Sequence, residues 1–113
     1  MKISKNNGEH YFWGDNCDGW HLVKSDDLSV IHEKMPPDTA EVRHFHEKSK
    51  QFFFILKGQA TMELDGEIFL LDEQEGIEIP PKTPHKMMNK SDLEIEFVVV
   101  SAPKSKGDRV VLE

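Results

Sequence analysis

The sequence predicts an all-β domain in which short antiparallel strands form a sandwich or barrel. Two observations support this fold class. Runs rich in β-branched, aromatic and other apolar residues alternate with Pro, Gly and Asp-Gly turn signals along the chain. Helical periodicity is weak throughout. Many short strands at regular spacing are typical of sandwiches and barrels, whose interior can hold a small ligand.

The predicted strands follow one another with a turn signal after each. The first ends at Pro36-Pro37, because proline cannot donate a backbone hydrogen bond. Gly58 predicts a tight turn inside a long apolar run, and Asp65-Gly66 then predicts a hairpin. In chain order, the predicted extended segments are 28–35, 41–46, 51–64 with its break at Gly58, 68–71, 76–80, 85–89 and 93–101.

The chain of 113 residues is predicted to form a single domain. We expect 28–101 to be the barrel core and 1–27 to pack on the barrel or on a partner subunit. We expect 102–113 to be a polar C-terminal tail, loose as far as Val110.

Charge and cysteine content exclude several classes of function. The 14 Lys and Arg against 21 Asp and Glu give a net charge of -7, which disfavours nucleic acid and anionic membranes as partners. The longest apolar run, 97–100, is far too short to span a membrane. Cys17 is the single cysteine, so no internal disulfide can form. No targeting segment is visible, and we expect a cytoplasmic protein.

Three of the six histidines occur in an informative pattern. His44 and His46 are two residues apart in an extended segment, so both imidazoles project from one face. Gln51 begins the next strand, and His85 begins a third strand after a proline-rich turn. Three imidazoles and one amide oxygen from adjacent strands can hold a divalent transition metal ion.

These residues also match a known motif pair. In the first cupin motif, a Glu and then a Gly follow an HxH pair. The segment 44–58 resembles this motif: His44-Phe45-His46 is followed after four residues by Gln51 and after six more by Gly58.

The second motif lies at 80–89. In the second cupin motif, a His follows a proline turn. The segment resembles this motif, since it reads Pro80-Pro81-Lys82-Thr83-Pro84-His85 and has Asn89 after three more residues. The resemblance implies a small single-domain cupin of the RmlC-like superfamily, folded as a double-stranded β-helix or jelly roll. It also implies that the metal ligands are His44, His46, Gln51 and His85.

The sequence departs from the cupin pattern at three positions. Position 51 is Gln where Glu is common, position 82 is Lys where Gly is usual, and Gln74 stands where the second motif usually opens with Gly. A neutral Gln leaves the full charge on a divalent ion, which weakens ion binding but polarises a bound oxygen more strongly. A three-His, one-Gln set is similar to that of small cupins that linearise unsaturated uronates.

These features favour a metal-dependent enzyme acting on a small sugar-like or oxo-acid metabolite by isomerase, cyclase or lyase chemistry. Zn, Ni, Mn or Fe could serve as the single divalent ion. Two alternatives are an iron-dependent dioxygenase and a non-catalytic module that binds a small molecule. No cation facing the interior stands out from the sequence, which weakens the hypothesis of a uronate substrate. No interior carboxylate base stands out either, so the base of the enzyme hypothesis would be a metal-bound hydroxide or a residue that the sequence does not place.

The apolar residues around the motifs suggest further contacts. Phe53 and Met87 share the faces of the expected ligands and could form an apolar wall of a substrate pocket, although Met87 could equally pack in the core. Phe52, Phe54 and Leu56 point to the opposite face, which favours a homodimer.

The remaining histidines and the tryptophans have less context. Trp13 and Trp20 lie close together near the N-terminus and could cover the barrel, a partner subunit or the metal pocket. Of His10, His21 and His32, we expect His32 to be the one nearest a ligand, because its strand could line the interior.

Overall fold

The computed structural model describes all 113 residues, which form twelve β-strands. In chain order they are β1 (Glu9–Trp13), β2 (Cys17–Lys24), β3 (Ser29–Met35), β4 (Thr39–Ala40), β5 (His44–His46), β6 (Lys50–Lys57), β7 (Ala60–Leu64), β8 (Glu67–Leu71), β9 (Gly76–Ile79), β10 (His85–Asn89), β11 (Ile95–Ala102) and β12 (Arg109–Val111).

The strands form two antiparallel sheets that face each other. The first sheet has the order β1-β2-β3-β11-β6-β9, and the second has the order β12-β5-β10-β7-β8, with β4 also paired to β10. Neighbours in each sheet are mostly distant in sequence, as a double-stranded β-helix requires. The predicted all-β fold class is confirmed.

The turn residues adopt the conformations that the sequence predicts. Asp65 and Gly66 both have positive φ, 50° and 90°, and join β7 to β8 as a two-residue hairpin loop. Gly58 has a φ of 82°, and a Cβ at this position would lie 2.9 Å from Cγ2 of Ile95. Glycine is therefore needed there both for backbone conformation and for close packing.

The core is the apolar layer between the two sheets. Alternate residues of β6 and β11 point inward, so Phe53, Ile55, Phe97 and Val99 are all buried. The second sheet contributes Met62 and further apolar side chains to the same cluster.

Both chain ends belong to the sheets. Antiparallel pairing of β2 with β3 adds β1 and β2 to the first sheet, and β12 pairs with β5 through Arg109–His46 and Val111–His44. The division into a core of 28–101 and flanking segments therefore leaves three strands out. In β2, Asp18, Gly19 and His21 interrupt the alternation of apolar and polar residues that would have predicted a strand. β12 is too short to give a periodic signal.

The structure contains no helix with the length and hydropathy needed to cross a membrane.

Candidate metal centre

Three histidines from two strands of the second sheet meet in the interior. His44 and His46 project from the same face of β5, and His44 is the direct cross-strand neighbour of His85 on β10. The imidazole centroids are 4.9 Å apart for His44 and His46 and 4.4 Å apart for His44 and His85. One ring nitrogen from each residue lies within 4.8 Å of the other two, and all three side chains are buried. This spacing allows one ion to contact all three.

Each imidazole is oriented by a hydrogen bond at Nδ1. Nδ1 of His44 lies 2.8 Å from the carbonyl oxygen of Val42, and Nδ1 of His85 lies 3.0 Å from the carbonyl oxygen of Thr83. A carbonyl only accepts, so Nδ1 carries the proton and Nε2 keeps a free lone pair. Nε2 of His85 is buried with no hydrogen-bond partner, as expected of an atom reserved for a ligand.

The carboxylate of Asp108 orients the ring of His46 in the same way, by a hydrogen bond at Nδ1. Its Oδ1 lies 2.8 Å from Nδ1 of His46, while its Oδ2 accepts hydrogen bonds from the backbone amides of Lys48 and Ser49. Partial burial opposes ionisation, but these hydrogen bonds keep the pKa of Asp108 below its ordinary value. A carboxylate behind a metal-binding imidazole fixes its tautomer and raises its basicity. No sequence pattern indicated this residue, because it lies in the expected tail.

The environment favours the neutral forms of His44 and His85. Burial, together with the positive charges that His85, Arg109 and His46 can carry, lowers the pKa of His44 to about 3, against the favourable bond to Val42. Burial also lowers the pKa of His85. Neutral imidazole is the form that coordinates a metal ion.

Gln51 lies in the wall of the same cavity as His44 and His46. Its Nε2 donates a 3.0 Å hydrogen bond to Oγ of Ser101, and its Oε1 is buried with no partner. Since a buried amide oxygen is costly to leave unpaired, this atom is free to serve as a fourth ligand. The donor set of three imidazoles and one amide oxygen fits a divalent transition metal ion.

The histidine cluster borders a cavity of about 200 Å³. Glu33 and Glu41 line it together with Arg109, and Tyr11 donates a 3.1 Å hydrogen bond to Oε2 of Glu33. The cavity thus contains a cation and two carboxyl groups that did not stand out from the sequence. Glu33 follows Ile31 on the inward face of β3, a parity that the sequence contained, whereas Arg109 lies in the part of the chain expected to be a tail.

The two carboxyl groups hold protons unusually tightly. Burial and, to a smaller extent, the negative charge of Glu41 raise the pKa of Glu33 to about 8, against the bond from Tyr11 and the charge of Arg109. Burial raises the pKa of Glu41 to about 7, against the bond that it accepts from the amide of Met87. Two neighbouring carboxyls with pKa values near neutral pH can exchange protons with a substrate.

The apolar residues singled out from the sequence fall into two groups. Phe53 and Trp13 line the cavity, so the tryptophan lies where it can cover the metal pocket. Met87 does not line the cavity: its side chain is fully buried in the core, the alternative that its position on β10 allowed. Cys17 is also buried in the core.

His32 lies on the opposite face of β3 from the cavity. Its Nε2 is 2.7 Å from Oε1 of Glu96, and its ring contacts Trp20 edge-on. The expectation that His32 approaches a ligand is wrong. Successive residues of a strand point to opposite faces, and it is the neighbours of His32, Ile31 and Glu33, that line the cavity.

The raised pKa of Glu33 predicts a pH-dependent stability of the metal-free protein. The folded state binds the Glu33 proton more tightly than the unfolded state, so this stabilisation is complete below pH 4.5 and is lost as the pH rises towards about 8. Glu33→Gln cannot ionise. We expect the variant to gain thermal stability relative to wild type between about pH 5 and about pH 8.

Thermal unfolding in the presence of a chelator at several pH values measures this difference. Subtracting the wild-type stability from that of the variant removes the contributions of groups that both proteins share. One of these is His44, whose lowered pKa makes the protein more stable as the pH rises. Exposed Glu47, as Glu47→Gln, is the matched control. Parallel stability profiles for wild type and Glu33→Gln would contradict the proposed environment of Glu33.

Comparisons with known proteins agree with the geometry. The family described as "Cupin domain" matches residues 31–101. The uncharacterized protein MJ1618 of Methanocaldococcus jannaschii is 32% identical over 94 residues, which cover 82% of this chain and 75% of that protein.

Solved structures show the same fold. KdgF from Halomonas sp. superposes with a TM-score of 0.85 at 16% identity, covering 94% of this chain and 96% of that chain. The polyketide cyclase RemF from Streptomyces resistomycificus superposes with a TM-score of 0.82 at 18% identity, covering 100% of this chain and 87% of that chain. With its double-stranded β-helix and its inward-facing histidine cluster, the chain belongs to the cupin family.

Proposed function

We propose that this cupin is a metal-dependent enzyme that moves protons on a small oxo or hydroxy acid, as an isomerase, cyclase or lyase. One observation carries the proposal: a cavity that adjoins the three-histidine cluster also contains a carboxyl group, Glu33, whose pKa lies near neutral pH. An electrophilic centre beside a group that exchanges protons is the minimum equipment for enolisation.

The proposed ligands are Nε2 of His44, His46 and His85 and Oε1 of Gln51. A divalent ion held there, whether Zn, Ni, Mn or Fe, would polarise a carbonyl or hydroxyl oxygen of the substrate and acidify the neighbouring C–H bond. The Nδ1 hydrogen bonds hold the imidazoles ready for this role. Gln51 adds no negative charge, which favours Lewis-acid chemistry over oxygenase chemistry.

Glu33 is the proposed base. The hydrogen bond from Tyr11 fixes one carboxylate oxygen and leaves the other free to take a proton from carbon. Burial, the charge of Glu33 and their hydrogen bond raise the pKa of Tyr11, so the phenol stays protonated as a donor. Glu41 instead accepts a 2.9 Å bond from the amide of Met87, which gives it a structural role and leaves its charge to tune Glu33.

Arg109 and the apolar walls define the substrate. Arg109 lines the cavity, and its guanidinium group would offer a bidentate partner for a carboxylate. Trp13 and Phe53 restrict the entry of water and provide apolar contact area. A small acid with an oxo or hydroxyl group near its carboxylate fits these features.

Hydrogen–deuterium exchange in D₂O tests the proposed chemistry without knowledge of the full reaction. Zinc-loaded protein under nitrogen is incubated with a panel of oxo acids and sugar-like acids, and loss of the α-proton is followed by NMR. We expect exchange in at least one acid. It should fall by about 10²-fold or more in Glu33→Gln, the effect of removing a general base, and also in His44→Ala, while Glu47→Gln keeps the wild-type rate.

The possible results separate the candidate functions. Binding of panel members without exchange would replace the enzyme by a non-catalytic binding module. Oxygen consumption that requires ferrous iron, with no exchange under nitrogen, would replace it by a dioxygenase. Full exchange in Glu33→Gln would remove Glu33 from the mechanism.

We also propose that the protein works as a homodimer in the cytoplasm. The outer face of the first sheet carries an apolar row in which Phe52 and Leu56 are each 42% exposed. Cross-strand pairing places Val100 beside Phe52 and Val98 beside Phe54, so the row is contiguous. A second copy of the chain packed against this row would remove its apolar surface from water. The single cysteine, free and buried, suits a reducing compartment.

Sedimentation velocity at several concentrations tests the dimer. We expect wild type to sediment as a dimer and Phe52→Glu to sediment as a monomer with an unchanged circular dichroism spectrum, because a charge in the interface is costly. Leu70→Glu, at an exposed apolar position of β8, is the control. A dimer that survives Phe52→Glu but is lost in Leu70→Glu would place the interface on the second sheet.

A further inference from the structure

A second cavity, of about 290 Å³, lies beside the cavity that borders the histidine cluster (the metal cavity). The turn between β2 and β3 forms one side, and segment 104–106 forms the other. Only one of its lining residues is hydrophobic. This composition is suited to a charged or strongly polar group.

The two cavities are neighbours. Ile31 and Ser105 line both of them. The ring of Tyr11, which lines the metal cavity, has its centroid 5.0 Å from that of His21, which lines the second. A single molecule could therefore place one end in each cavity.

The second cavity has a surplus of positive charge. Three lysines line it: Lys24 pairs with Glu9 at 3.1 Å, and Lys104 pairs with Asp26 at 2.8 Å. Lys106 takes part in no salt bridge. One cation is thus left over for a bound anion.

Hydrogen-bonding groups are also available. Nδ1 of His21 is buried and has no partner. Ser29, which is buried, and Ser105 bring hydroxyl groups to the same cavity. Burial lowers the pKa of His21, as do the charges of Lys24 and Lys106 against that of Glu9. An oxyanion could accept hydrogen bonds from these hydroxyls and from Lys106, and it would neutralise the surplus charge.

We infer that the second cavity binds an oxyanion, either a carboxylate or a phosphate, carried by the far end of the substrate. The part of this inference that concerns the substrate rests on the proposed function. The substrate would then be a small acid with two separated anionic groups, one near Arg109 and the metal ligands and the other among Lys106, Ser29 and His21.

Titration with inorganic phosphate and with acetate, followed by amide chemical shifts in NMR, tests the site. The protein is used as purified, and chloride at equal ionic strength is the reference. We expect saturable shifts in 24–29 and 104–106. Lys106→Ala should weaken binding about fivefold, the effect of removing one partly exposed charge. Lys90→Ala, at an exposed lysine outside both cavities, should leave it unchanged. The anion that binds more tightly identifies the group.

His44→Ala separates this inference from the proposed function. We expect the variant to keep oxyanion binding at 24–29 and 104–106, since the site does not depend on the metal ligands. Absence of saturable shifts in these segments, equal affinity in Lys106→Ala, or shifts that vanish in His44→Ala would overturn the inference. Oxyanion binding without deuterium exchange in any acid would leave the site in place and refute only the proposed function.

Discussion

The site depends on the three hydrogen bonds that orient the imidazole rings. Val42, Asp108 and Thr83 each place an oxygen atom beside an Nδ1 and leave an Nε2 facing the cluster. Without them, each ring could choose either tautomer and rotate, and three neutral nitrogens would not converge at one point. β5 therefore has to be held on both sides, by β12 and by β10, although it is only three residues long.

In the proposed site, metal binding and acid–base chemistry would be coupled. The four proposed ligands are neutral, so a divalent ion held by them would keep its full charge at the cavity that Glu33 and Glu41 line. That charge would favour the ionised carboxylates and oppose the effect of burial on their pKa values. A loaded site would thus have its base ready, whereas in the metal-free protein the protonated carboxyls avoid an uncompensated pair of buried charges.

The fold and the histidine cluster could be predicted because they depend on local patterns. Gly58 and the Asp65-Gly66 pair mark turns, and the spacing of His44 and His46 fixes a shared strand face. Arg109 and Asp108 could not be predicted in the same way. They reach the site through the pairing of a three-residue strand with β5, and no periodicity in so short a segment reveals its partner. Glu33 is different: its parity was readable, but strand parity alone did not show which face of β3 is the inner one.

The amount of metal bound per chain is the decisive test of the proposed metal site. It can be measured by mass spectrometry on protein purified without an affinity tag or chelator, for wild type, His44→Ala, Asp108→Asn and His10→Ala. We expect near-stoichiometric metal in wild type and in the His10→Ala variant, because the ring of His10 pairs with Asp18 outside the cavity. We expect loss of metal in His44→Ala and about tenfold or greater weakening of metal binding in Asp108→Asn. A wild-type protein that takes up no metal from excess divalent ions, or a His44→Ala variant that binds as much metal as wild type, would contradict the proposed metal site.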